Sequence, residues 1–193
     1  MNDIEILKEM LISNAQVSLQ QQQGGVPSVE LTDTQANTTV EIKGLPHGSV
    51  VIRAEDFEDP LTIFVGSKGE RRRADFVIVS NGEQGKWIIC IETQAGNYKG
   101  RAEVIQQLKG ALCFVHYCKC IGKEFWEWEE FLDDYQYRFI SMADINSNKG
   151  TKKTRHYSPH IQPTGGLHDT PDAFLKFLRS PRLHFSRLLH EVS

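Results

Sequence analysis

Three oxygen-bearing side chains near the middle of the chain have types and spacing suited to holding a hard cation. Asp75 stands in Arg73-Ala-Asp-Phe-Val-Ile-Val79, and Glu92 and Gln94 close the run Trp87-Ile-Ile-Cys-Ile-Glu-Thr-Gln94. Both runs are rich in β-branched residues and read as strands. Residues two apart on a strand share a face, so Glu92 and Gln94 point the same way, and Asp75 can hang beside them from the edge of a neighbouring strand. Two carboxylates, an amide oxygen and a nearby main-chain carbonyl suit Mg²⁺. That ion takes one or two protein carboxylates, keeps several waters and binds beside phosphate. The chemistry suggested is phosphodiester hydrolysis, in which a divalent ion activates water and neutralises charge growing on the phosphate. The competing reading of Asp75 and Glu92 is a strand-end salt bridge to the arginines close by.

At these residues the chain resembles the PD-(D/E)XK nuclease superfamily, which includes many restriction endonucleases. The family pattern is an acid at one strand end, a hairpin, then acid-x-Lys on the next strand, followed by a helix. Here Ala74-Asp75 stands for Pro-Asp, Glu92-Thr93-Gln94 stands for acid-x-Lys, and Ser80–Lys86 supplies a turn-rich hairpin. The resemblance covers residues 48–117. It implies a restriction-endonuclease-like α/β domain with a central mixed sheet flanked by helices. It also implies a Mg²⁺- or Mn²⁺-dependent endonuclease site with Asp75 and Glu92 as metal ligands. DNA is favoured over RNA as substrate, in restriction, defence or repair, and a homodimer or a partner subunit fits the family habit. Gln94 departs from the pattern: an amide can orient water but supplies no positive charge. Slower chemistry follows, or a catalytically inactive nuclease-fold subunit that binds nucleic acid or a partner protein.

The remaining site candidates follow from the same reading. Many relatives recruit another acid from upstream, for which Glu55 is the first choice and Glu9 the second. Gln107, on the helix behind Glu92, stands where some relatives present a polar group, and Lys99 could reach in from the loop before that helix. Arg71, Arg72 and Arg73, with Lys152, Lys153 and Arg155, are the expected contacts to the phosphate backbone, which position rather than read sequence. His156 and Tyr157 could touch sugar or base. Cys113, His116, Cys118 and Cys120 lie close together but lack paired knuckles, so they read as reduced core thiols rather than a zinc site. No Gly-x-Ser-x-Gly elbow is present.

The elements that must position these residues are legible in outline. Asp3–Ile12 has the apolar spacing of a short amphipathic helix, and residues 13–39, with a Gln-rich run, read as linker. This divides the chain into an N-terminal helix with linker (1–38) and a nuclease-like domain (39–193). Strands are predicted at Thr39–Lys43, Ser49–Ala54, Leu61–Gly66, Ala74–Val79, Trp87–Glu92 and Tyr137–Met142. Helices are predicted at Arg101–Cys118, Phe125–Asp133, Pro171–Leu178 and Pro181–Val192, with a loop over Asn146–Thr170. The 193 residues are 39% hydrophobic and 24% charged, the balance of a globular domain, and lack a membrane-length apolar run or a signal-like start. A cytoplasmic protein is expected. Its net charge of −3 argues against indiscriminate nucleic-acid coating. The basic and acidic zones are nevertheless segregated, with acid concentrated in Glu124–Asp134.

Overall fold

Alternation of apolar and polar residues decides where the sheets lie. The computed structural model describes residues 1–21, 24–34, 38–57, 63–94, 100–143, 160–162, 167–178 and 180–189. In order, it contains α1 (Asp3–Met10), β1 (Gln20–Gln21), β2 (Pro27–Asp33), β3 (Thr38–Lys43), β4 (Gly48–Arg53), β5 (Phe76–Gly82) and β6 (Gly85–Gln94). Then come α2 (Arg101–Phe125), β7 (Gln136–Ala143), β8 (His160–Gln162), β9 (Leu175–Leu178), β10 (Arg182–His184) and α3 (Phe185–Leu189).

The larger sheet has the order β4-β5-β6-β7-β9-β8. Strands β4, β5 and β6 form an antiparallel meander, and the turn between β5 and β6 pairs Gly82 with Gly85. α2 then carries the chain back so that β7 lies parallel to β6, with β9 parallel on its far side. A parallel neighbour requires such a crossover, because a tight turn can only reverse the strand. The smaller sheet, β1-β2-β3-β10, is also mixed, with β10 parallel to β3.

The two faces of the larger sheet are buried differently. Val77, Val79, Ile88 and Cys90 pack with Val104, Leu108, Ala111 and Val115 of α2 and with Ile4 and Leu7 of α1. Phe76, Ile78, Ile89 and Ile91 pack against Val29, Leu31, Val40 and Ile42 of the smaller sheet, and Phe185 and Leu188 of α3 join that cluster. The expected central mixed sheet in an α/β domain is present. Flanking helices cover chiefly one of its faces, and a second sheet covers most of the other.

Several predicted elements are replaced. The expected linker holds β2, whose Val29 and Leu31 alternate with exposed Glu30 and Thr32 and are fully buried against β3. Residues 63–66 of the expected strand Leu61–Gly66 are turn and irregular chain, while 61–62 lie outside the described residues. Pro171 opens only a 3₁₀ turn before β9, where Leu175 and Phe177 are buried at strand spacing. Pro181 precedes β10, and the helix behind it begins only at Phe185, in α3, while residues 190–192 of the expected helix lie outside the described residues. α2 runs on to Phe125, and the predicted short helix at Phe125–Asp133 is largely turn, with Glu127 and Leu132 at positive φ. β8 falls inside the expected loop Asn146–Thr170. No helix among the described residues is long and apolar enough to cross a membrane.

Candidate active site

Strand direction gathers the acids at one edge of the molecule. β6 ends in Glu92-Thr93-Gln94, and antiparallel β5 begins directly after Asp75, so Asp75 and Glu92 lie one step past the last registered pair, Phe76 with Ile91. β4 runs antiparallel to β5 and delivers Glu55 to the same end, where the main-chain N–H groups of Ala54 and Glu55 donate to the carbonyl of Asp75 at 2.9 and 3.5 Å. Asp33, the last residue of β2, arrives there from the second sheet.

Alternation along β6 sorts the side chains. Cys90 faces α2 and Ile91 faces the smaller sheet, which puts Glu92 and Gln94 on the helix side and Thr93 on the other. All three are buried, Glu92 completely. Gln94 Nε2 donates to Ser141 Oγ on β7 at 3.4 Å, and Gln94 Oε1 is a buried acceptor with no hydrogen-bond partner among the described residues. Asp75 sits immediately before β5, and its carboxylate reaches the Thr93 side of the sheet. Its Oδ2 accepts from the main-chain N–H and from the hydroxyl of Thr93, each at 2.6 Å, and the same hydroxyl lies 3.3 Å from Asp33 Oδ2.

Charge crowding is visible at Glu55. Its carboxyl is pushed up to about 7, first by burial and then by the neighbouring carboxylates of Asp75, Asp33 and Asp56, while Arg53 pulls the other way. Asp33, Glu55 and Asp75 therefore share one electrostatic environment.

The donor set fits a hard divalent ion of the Mg²⁺ or Mn²⁺ type in part. Carboxylate and amide oxygens are the ligands such ions prefer, and the partnerless Gln94 Oε1 beside Glu92 is an acceptor that a cation or its water would satisfy. Among the described residues there is no group of three or more Asp, Glu, His or Cys side chains close enough to form an all-protein cage.

The other sequence candidates are distributed as follows. Glu9 is exposed on α1. Gln107 is half-buried on α2, with its Oε1 buried and without a hydrogen-bond partner among the described residues. Arg72 pairs with Glu103 in the first turn of α2 at 2.7 Å, an exposed ion pair. Arg73 stacks over Phe57 at 4.8 Å and donates to the carbonyls of Arg71 and Arg72. Arg71 is half-buried. Lys99, Lys152, Lys153, Arg155, His156 and Tyr157 lie outside the described residues. Cys90 and Cys118 are core thiols, whereas Cys113 and Cys120 are exposed on α2.

Sequence reasoning missed Asp33, Thr93 and Ser141. Thr93 lies inside the motif, at the position where the acid-x-Lys pattern specifies no residue type. Asp33 ends a short apolar alternation, Val29-Glu-Leu-Thr-Asp33, and that alternation was the available signal. Comparison of the chain with protein-family models, with curated proteins and with solved structures gives no match.

Proposed function

We propose that this chain is a metal-dependent nuclease of PD-(D/E)XK type that hydrolyses phosphodiester bonds, with DNA favoured over RNA as substrate. The observation that carries the reading is that Asp75, just before β5, and Glu92 and Gln94, at the end of β6, stand at the same end of two paired strands, on a strand–hairpin–strand–helix path. The order β5, hairpin, β6, α2 is the part of that path the sequence resemblance implies.

Bound Mg²⁺ or Mn²⁺ would activate water and offset the charge developing on the phosphate. Asp75 and Glu92 would hold the ion. Gln94 would orient the attacking water through its amide, without the positive charge a lysine would bring. Glu55 adds a further carboxylate beside Asp75 that can accept a hydrogen bond from water. Arg71, Arg72 and Arg73, together with Lys99, Gln107, Lys152, Lys153 and Arg155, are the proposed nucleic-acid contacts. Gln94 also favours a second reading, a nuclease fold that binds nucleic acid or a partner protein without cutting.

Incubation with plasmid, single-stranded DNA and RNA in Mg²⁺ or Mn²⁺ tests both readings. Cleavage should fall in Asp75→Ala and Glu92→Ala by more than the roughly 10–100-fold that a change outside the ligand shell costs. Gln94→Lys should raise it. Binding without cleavage in every condition supports the second reading, and neither binding nor cleavage overturns both.

A further inference from the structure

Thr93 separates the two motif residues on β6, and its side chain points away from both, toward the second sheet. It is only 1% exposed, yet its hydroxyl is not spent on its own backbone: it donates to Asp75 Oδ2 at 2.6 Å. That length lies in the range of a charge-assisted O–H···O⁻ bond. The Thr93 N–H donates to the same oxygen at 2.6 Å, so one carboxylate oxygen receives two donors from one residue. Asp33 Oδ2, delivered from β2, lies 3.3 Å from that hydroxyl and is itself buried.

We propose that Thr93 is a positioning residue for the cation site, fixing the Asp75 carboxylate through the two donors it gives to Oδ2. The inference rests on the cation site proposed above. It explains why a polar side chain faces the apolar interface between the two sheets, next in line after Ile89 and Ile91.

The test is Mn²⁺ binding to the purified full chain, read from loss of the free-ion electron paramagnetic resonance signal, so that no activity is required. Thr93→Val keeps the shape and removes the hydroxyl, and should weaken Mn²⁺ binding roughly 10-fold or more, the usual effect of removing an outer partner of a metal ligand. Thr93→Ser restores the hydroxyl and should bind within about 3-fold of the unmodified protein, a rescue that a mere packing role would not give. If the valine variant does not fold, Thr93→Ala compared with Thr93→Ser makes the same contrast. Binding by Thr93→Val equal to the unmodified chain overturns the positioning role while leaving the cation site standing, as does equal weakening in the serine and valine variants. Failure of the unmodified chain to bind Mn²⁺ overturns the cation site, and the positioning role with it.

Discussion

Glu55 shows how a single side chain reports on its neighbours. Its carboxyl, near 4.5 in the unfolded chain, rises to about 7 in the folded protein through burial and the nearby carboxylates of Asp75 and Asp33. The folded state thus binds this proton more tightly than the unfolded state does. Between about pH 4.5 and 7 stability falls as pH rises, and above pH 7 the loss is complete. Glu55 is partly solvated, so screening reduces the effect to about 1 kcal/mol. Glu55→Gln should therefore raise the melting temperature at pH 8, and the gain should vanish near pH 4.5; an equal gain at both pH values would contradict the crowding. Asp75, Glu92 and Gln94 were legible from sequence because strand alternation and a known spacing point to them. Asp33 was not, because its partner Thr93 lies sixty residues away, and no local pattern encodes a contact between two sheets.

At the scale of elements, the strands and helix that carry the motif were legible, and the peripheral strands were not. β5, β6 and β7 hold continuous apolar runs buried on both faces, and α2 has an apolar stripe at helical spacing. β9 and β10 have four and three residues, too few to show a period, and the prolines before them suggested helix starts. In β9 the pairing with β7 decides the outcome, placing Leu175 opposite Ile140 and Phe177 opposite Met142. α2 carries a feature that propensity alone would misjudge. Gly110 lies in its middle, where alanine would gain about 1 kcal/mol of helix propensity. A Cβ there would stand 1.7 Å from the carbonyl oxygen of Arg72, which is backbone and cannot swing aside. Overpacking should cost about 1–3 kcal/mol and outweigh the gain. Gly110→Ala should therefore lower the melting temperature, and because Arg72 lies three residues before Asp75, it should also disturb Mn²⁺ binding. An alanine variant as stable as the unmodified chain would show that the segment before β5 is free to move.

For the whole molecule, the arrangement puts carboxylates from both sheets at one edge. Asp33 comes from the smaller sheet, and Glu55, Asp75 and Glu92 come from the ends of successive strands of the larger one. Glu55 shows the crowding of this end, its carboxyl raised by burial and by the neighbouring Asp75 and Asp33. A divalent ion that binds the folded state and not the unfolded one should stabilise the entire fold by mass action. At a hundredfold excess over its dissociation constant the gain is about 2.7 kcal/mol, or about 5–10 °C in melting temperature for a chain of this size. Thermal unfolding in Mg²⁺ or Mn²⁺ against chelator should show that rise at pH 8, where Glu55 is ionised, and a smaller one at pH 5.5, where its bound proton competes with the ion. Asp75→Ala and Glu92→Ala should abolish the rise without needing a substrate to be known. An equal rise in both variants would place the ion elsewhere and remove the physical basis for hydrolysis at this edge.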